Sequence, residues 1–279
     1  MRSEKIYLSE WLQKDFTDVY GTLCGILDRC GAPYGLLPYS KDIWCRDYMP
    51  VHIGGGKYVG FKYFPDYMDN EKERKYITEQ EKAAEGLSIH FSTILDVVMD
   101  GGNYVRCGDK VVMTDKILTE NPHLRPLRLL ALLEDAFQAQ VILIPWDDCE
   151  PYGHADGMVA YVGDSRILLN NYRQMGKRSA EFADRLVKIL SPYFDIIELK
   201  YSDPLKDSWC YINYVETAES IILPALSENI EHGCDCSARE QIQSVFPDKA
   251  IHQVYAAPLI KKGGALHCVT WEHCLASVQ

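Results

Sequence analysis

The stretch VHIGGGKYVGF (residues 51–61) predicts a β-hairpin, because two apolar segments flank a glycine-rich turn. Three further stretches share this pattern: YVRCGDKVVMT (104–114), MVAYVGDSRILLN (158–170) and INYVETAESIILP (212–224). The turns begin at Gly54, Gly108, Gly163 and Glu216, so successive turns are 54, 55 and 53 residues apart. This regular spacing predicts one structural unit repeated along the chain.

The sequence between the hairpins is also regular. Apolar residues at helical spacing predict helices at 71–86, 124–139, 178–194 and 237–246. Short strands are predicted after them at 87–93, 141–145, 195–200 and 250–256. A helix at about residues 9–30 with a strand at 33–37 supplies a fifth pair, and ALHCVTW (265–271) supplies the last strand. We therefore expect an α/β fold in which five helix-strand-hairpin repeats fill residues 1–279 as a single catalytic domain.

The polar residues of the repeats favour a closed ring over an open stack. Asp47, Asp156 and Trp209 each lie seven residues before a hairpin turn, and Asp100 lies eight before another. Residues at one phase of a closed ring converge on its axis, so we expect these side chains to share a site. The alternative is a generic α/β sheet in which the spacing is coincidental.

Composition narrows the class of protein. The chain has 279 residues, of which 47% are hydrophobic and 25% charged, and neither an export signal nor a membrane-spanning run is evident. We expect a soluble, cytoplasmic protein whose ten cysteines are reduced. A formal charge of -11 argues against nucleic acid as a partner and is compatible with a cationic substrate.

Four motifs fall in the loops at or near this phase: WCRD (44–47), DGGN (100–103), GHAD (153–156) and GGALHC (263–268). Their carboxylates suit a guanidinium substrate, which is a planar cation with N–H donors and no acceptor. Two carboxylates on opposite edges can fix its plane by paired hydrogen bonds. We choose Asp47 and Asp156 for that pair, although either could instead cap a turn or pair with Arg46.

The cysteine and the histidine suit the remaining chemistry. A thiolate is nucleophilic enough to attack the resonance-stabilised guanidinium carbon, and Cys268 follows a Gly-Gly pair that lets backbone approach a ligand. His154 can protonate the departing ammonia and then accept a proton from the attacking water. Asp100 could orient the imidazole or add a third carboxylate.

At these motifs the chain resembles the agmatine deiminase and bacterial peptidylarginine deiminase group of the guanidino-modifying, or pentein, superfamily. That group carries W-x-R-D, E-G-G-N, G-H-V-D and G-G-G-N-I-H-C segments in the same order, and SWCYINYVETAESIILPAL (208–226) is similar to its fourth repeat. The resemblance implies a five-bladed α/β propeller of pseudo-fivefold symmetry, a cysteine-linked amidino intermediate and no cofactor or metal. Relatives often form symmetric dimers or tetramers, so a homo-oligomer is left open.

Matched by motif, Cys268 is the nucleophile, His154 the acid and base, and Asp47 and Asp156 the guanidinium carboxylates. Asp100, Trp44 and Gly264 complete the predicted substrate-binding residues. The departures are Asp100 in place of Glu, Gly157 in place of Asn, and Ala265-Leu266 in place of Asn-Ile. The first expected substrate is agmatine, giving N-carbamoylputrescine for polyamine synthesis, with arginine and peptidyl arginine as alternatives. The segment YFPDYMD (63–69) could supply an acidic or aromatic rim for an amine substrate.

Two other classes of protein remain open. His232, Cys234 and Cys236, with the histidines and cysteines of HCVTWEHC (267–274), could form a zinc site, although neither cluster has paired C-x2-C spacing. The second class is a binding protein that keeps the guanidinium pocket but has lost turnover.

Overall fold

The strands of this computed structural model form five three-stranded sheets within the residues that it describes, 4–147, 150, 152–231 and 233–274. The strands are β1 (Glu4–Ser9), β2 (Tyr34–Leu37), β3 (Val51–Gly54), β4 (Lys57–Lys62), β5 (Phe91–Val98), β6 (Val105–Cys107), β7 (Lys110–Thr114), β8 (Gln140–Ile144), β9 (Val159–Tyr161), β10 (Arg166–Leu169), β11 (Asp195–Glu198), β12 (Val215–Glu216), β13 (Ser220–Ala225), β14 (Ala250–Tyr255) and β15 (Thr270–Cys274).

Helices connect the strands. The α-helices are α1 (Glu10–Asp15), α2 (Thr17–Arg29), α3 (Cys45–Tyr48), α4 (Glu71–Arg74), α5 (Gln80–Glu85), α6 (Lys116–Glu120), α7 (Pro126–Phe137), α8 (Lys177–Leu190), α9 (Gly233–Val245) and α10 (Ala257–Ile260). Single turns of 3-10 helix lie at Asp66–Met68, Gly101–Asn103, Ala155–Gly157, Tyr172–Gln174 and Ser208–Ile212.

One connectivity recurs in four of the described sheets. In each, a hairpin pairs two strands antiparallel, and the strand after the following helical segment pairs parallel to the second hairpin strand. In the remaining sheet β1 lies between β2 and β15 and pairs antiparallel with β15. The repeated unit predicted from the hairpin spacing is confirmed.

Glycine makes three of the hairpin turns feasible. Gly54, Gly108 and Gly163 have φ of 98°, 65° and 86°, a region that favours glycine because it has no Cβ. The fourth turn begins at Glu216, and its first strand, β12, is only two residues long. The preceding residues Ser208–Ile212, of which Ile212 was predicted as strand, form 3-10 helix instead.

Three further predicted segments differ from the structure because tertiary contacts compete with the local sequence pattern. The helix expected over 71–86 is broken into α4 and α5, and between them Thr78 Oγ1 accepts a hydrogen bond of 2.9 Å from Lys41 N. The strand expected at 87–93 begins only at Phe91, because Ile89 N donates back to Ala84 O and closes α5. The last strand begins at Thr270 rather than at residue 265.

The described chain divides into two compact units. The first comprises the described residues among 4–11, 35–155 and 270–274 and has its own core, which includes Tyr48, Met49, Met113, Phe137 and Trp271. The second comprises residues 12–34 and 156–269, with Leu23, Leu27, Leu168, Leu186 and Leu223 fully buried. The assignment of residues 1–279 to a single catalytic domain stays a prediction.

No helix in the described ranges is both long enough and apolar enough to cross a bilayer. The cytoplasmic location stays a prediction of the sequence.

Candidate active site

Three of the four motifs each contribute to a short helical turn of their own, which directly precedes a hairpin. WCRD leads into α3, DGGN forms the turn at Gly101–Asn103, and GHAD leads into the turn at Ala155–Gly157. The fourth motif, GGALHC, occupies residues 263–268 between α10 and β15. The motifs therefore stand at the points in the chain that the repeat predicts.

The first unit gathers Asp47, Asp100, Lys116 and His154, which we call the imidazole cluster. His154 Nε2 lies 2.9 Å from Asp100 Oδ2, and His154 Nδ1 lies 3.5 Å from Asp47 Oδ1. All four residues are buried, with exposed fractions from 1% to 7%. The two ring nitrogens of His154 thus each face a carboxylate, an arrangement that fixes the ring and favours its protonated form.

The glycines of DGGN allow this close approach. Gly102 N donates to Asp47 Oδ1 at 3.0 Å, and a Cβ on Gly102 would lie 2.6 Å from His154 Nδ1. A Cβ on Gly101 would lie 2.0 Å from the carbonyl oxygen of Arg46. Any larger residue at either position would push the WCRD turn or the imidazole away.

The asparagine of DGGN, Asn103, forms a hydrogen bond with the protein backbone. Asn103 Oδ1 accepts a hydrogen bond from Thr114 N at 2.7 Å, and Thr114 Oγ1 donates to Gly153 O at 2.6 Å. Gly153 has φ of 68°. Gly153, which precedes His154, is therefore held by Thr114 at the end of β7. Because Thr114 also binds Asn103, the DGGN and GHAD motifs are fixed relative to each other.

Charge is balanced inside the imidazole cluster. Burial by itself would raise the pKa of Asp100, but His154 and Lys116 hold that pKa below its ordinary value. Burial opposes the charge on Lys116, yet Asp100 and Glu120 keep its pKa above the ordinary value. Arg46 Nη2 lies 2.5 Å from Glu272 Oε2, so the arginine of WCRD forms an ion pair with a residue of β15.

The second unit gathers Asp156, Asn213, His267 and Cys268, which we call the thiol cluster. Asn213 Nδ2 lies 3.2 Å from Cys268 Sγ, and Asn213 Oδ1 accepts from Cys268 N at 3.3 Å. Asp156 Oδ2 lies 3.8 Å from the same sulfur and 2.8 Å from His267 Nδ1. A buried thiol is thus placed beside a carboxylate that can receive a cation.

Comparison with known proteins agrees with these motifs. The family model of the Porphyromonas-type peptidyl-arginine deiminase matches residues 33–273. The chain belongs to this family. An agmatine deiminase of Pseudomonas aeruginosa is 24% identical over 284 residues, covering 83% of this chain and 74% of the relative. The family predicted from the four motifs is therefore confirmed.

Solved structures of the deiminase family confirm the fold. The agmatine deiminase of Enterococcus faecalis superposes with a TM-score of 0.71 at 18% identity, covering 99% of this chain and 94% of that one. A putative arginine deiminase from Porphyromonas gingivalis gives 0.73 at 17% identity, with coverages of 99% and 96%. The chain has the five-bladed α/β propeller, or pentein, fold.

Asn213 and Lys116 were not predicted from the sequence. Asn213 lies four residues after Trp209 in the predicted fourth repeat, so the repeat itself was a usable signal. Lys116 is a single lysine after the second hairpin, and nothing in its neighbourhood marks it as buried. Its cluster becomes visible only when Asp66 and Asp100 are placed around it.

The remaining predicted residues have these positions. Trp44 is half-buried, and its backbone N donates to Asp42 Oδ1 at 2.9 Å. Gly264 is buried four residues before Cys268. The aspartate side chain of Asp100 is one methylene shorter than the glutamate of the family motif, yet its Oδ2 lies 2.9 Å from His154 Nε2. This geometry favours Asp100 as the residue that orients His154. The roles of the predicted site residues in substrate binding and catalysis stay predictions.

Two other described cysteines, Cys45 and Cys107, lie in surroundings that suppress ionisation. Burial raises the pKa of Cys45 and of Cys107 to about 12, so these thiols remain protonated and inert at neutral pH. In the described part of the chain, no group of three or more potential ligands is arranged to hold a metal ion. His232 and the side chain of Cys274 lie outside the description, so the zinc alternative is untested.

Proposed function

We propose that this chain, an enzyme of the deiminase family, hydrolyses agmatine to N-carbamoylputrescine and ammonia through a covalent adduct on Cys268. The observation that carries the proposal is the thiol cluster, in which a buried sulfur lies beside the carboxylate of Asp156. Family membership and the agmatine deiminase among its relatives support the choice of substrate. The whole chain, residues 1–279, is proposed as the catalytic domain.

Binding of the cation comes first. The guanidinium offers N–H donors on both edges of its plane, and the carboxylates of Asp47 and Asp156 are proposed to accept them. His267 and Asn213 hold Asp156 from the protein side, since both contact its Oδ2. The proposed substrate would thus meet a carboxylate that is already oriented.

Chemistry then proceeds in two halves. The Cys268 thiolate attacks the central carbon, and the tetrahedral adduct expels ammonia after His154 protonates the leaving nitrogen. His154, now neutral, takes a proton from water, which attacks the thiouronium carbon. The C–S bond then breaks, the hydroxyl group on the carbon loses its proton to solvent, the substituted urea leaves as N-carbamoylputrescine, and the thiolate is restored. Asp100 keeps the imidazole in place during both steps.

The test is ammonia release by purified protein from agmatine, arginine and a blocked arginine ester. We expect agmatine to be the best substrate and Cys268→Ala to abolish turnover. Cys236→Ala is the matched control, because that half-exposed thiol contacts only Glu240 and Arg239 among the contacts described. No ammonia from any of the three compounds would sink the proposal.

Two further measurements separate the alternatives. Mass spectrometry after treatment with a halo-amidine should find the adduct on Cys268, and an adduct on another cysteine would overturn the site. Metal analysis of the same sample, with turnover measured in a chelator, tests the zinc-site alternative. Saturable agmatine binding without ammonia release would indicate a binding protein.

A further inference from the structure

Lys116 is a buried cation to which the proposed chemistry gives no role. It is the first residue of α6, and none of its side chain is exposed. Taking an ammonium group out of water is strongly unfavourable unless carboxylates surround it. The free energy of burying Lys116 in its charged form therefore depends on the groups that its ammonium contacts.

Three carboxylates contact the ammonium group. Lys116 Nζ lies 3.0 Å from Asp100 Oδ2, 3.0 Å from Glu120 Oε1 and 3.1 Å from Asp66 Oδ1. It also lies 5.4 Å from the centre of the Tyr67 ring. These partners come from three points of the chain, residues 66–67, residue 100 and residue 120 of α6 itself, so Lys116 joins α6 to two segments that are distant in sequence.

Two of these contacts lead to His154. The Asp100 oxygen that binds Lys116 is the same Oδ2 that lies 2.9 Å from His154 Nε2. Asp66 begins the 3-10 turn that carries Tyr67, and the Tyr67 ring packs edge-on against His154 with centroids 6.3 Å apart. Lys116 thus holds both the acid and the aromatic ring that fix the imidazole.

We propose that Lys116 is a positioning residue that sets both the orientation and the proton affinity of His154 by binding Asp100 Oδ2. This rests on the proposed function of His154 as acid and base. An oxygen shared between two donors attracts the imidazole proton less strongly than one that serves His154 alone. The ammonium charge acts in the same direction, because it repels an imidazolium nearby.

The other groups facing His154 give a definite sign to the effect of removing Lys116. Among the described contacts of His154 these groups are Asp47, Asp100, Tyr67 and Tyr152. Both carboxylates favour the imidazolium, whereas the ammonium group of Lys116 opposes it. Without it, His154 should hold its proton to higher pH.

The test compares Lys116→Met with the double variant Lys116→Met/Glu120→Gln. The second change removes the carboxylate that the first would leave buried beside Asp100. The His154 imidazole is followed by NMR as a function of pH in each protein, with His154→Gln identifying its signals. Activity with agmatine is measured over the same pH range.

We expect Lys116→Met to titrate His154 at higher pH than the wild type, and the double variant to do so by a smaller margin because it also loses the carboxylate of Glu120. Turnover should fall by about 100-fold, as for a misplaced acid, with KM little changed. If Lys116→Met does not fold, the double variant decides alone. A folded variant with wild-type titration and pH profile would overturn the proposal and leave Lys116 a purely structural residue. A wild type without turnover would instead refute the proposed function, and the NMR titration would still test the effect of Lys116 on His154.

Discussion

Gly102→Ala should separate catalysis from folding, because the added methyl group would meet the imidazole cluster directly. Its Cβ would lie 2.6 Å from His154 Nδ1 and 2.7 Å from Asp47 Oδ1. Ordinary contact begins at about 3.4 Å, so the imidazole must move by roughly 0.8 Å. Overpacking of this kind costs about 1–3 kcal/mol of stability.

The rate should suffer more than the fold. A displacement near 1 Å of a catalytic group can cost on the order of 100-fold in rate, so we expect turnover of agmatine to fall by about that factor. The assay is ammonia release over a range of agmatine concentrations, alongside urea unfolding followed by circular dichroism. Displacement of His154 should lower kcat more than it raises KM.

Gly21→Ala is the matched control. Gly21 lies in α2, is exposed, and a Cβ there would meet nothing within 4 Å. In a helix this change should stabilise the protein by roughly 0.5–1 kcal/mol and leave turnover unchanged. Wild-type turnover in folded Gly102→Ala would show that the position of His154 does not limit the reaction, and would refute the reasoning.

Two further predictions concern the thiol and the buried acid. Asn213→Ala should slow halo-amidine labelling of Cys268 by about tenfold, because it removes one hydrogen bond to the sulfur, worth roughly 1.4 kcal/mol. Labelling at the wild-type rate would show that Asn213 does not activate the thiol. Burial, followed by the nearby Asp100 charge, raises the pKa of Glu120 to about 7, so between pH 4.5 and 7 the folded state binds more protons than the unfolded state. The free energy of unfolding should therefore carry a contribution that is present below pH 4.5 and lost as pH rises through 7. Glu120→Gln should weaken that pH dependence in urea titrations, and an unaltered profile would contradict it.

Local signals explain why the repeats could be predicted. Glycine turns such as those at Gly54 and Gly163 depend on a few neighbouring residues, and so does the amphipathic pattern of α7. The strand order within a repeat follows from these, since a helix between two strands favours parallel pairing. Family motifs then identified the candidate site residues.

Distant contacts explain what could not be predicted. Thr78 leaves the helical pattern because it accepts a hydrogen bond from Lys41, 37 residues earlier. The strand predicted from residue 265 is delayed because His267 N and Cys268 N donate to Asn213 rather than to a neighbouring strand. Such partners are chosen by tertiary placement, which no local window contains.

The pairing of β1 with β15 has a consequence for how the protein is made. β1 is the middle strand of its sheet, yet one of its two neighbours is the last strand of the described chain. At about 5–20 residues per second, a ribosome needs tens of seconds between these two segments. One edge of the emerging β1, with the apolar residues Ile6, Tyr7 and Leu8, therefore has no neighbour until β15 is synthesised, and we expect chaperones to cover it during that time.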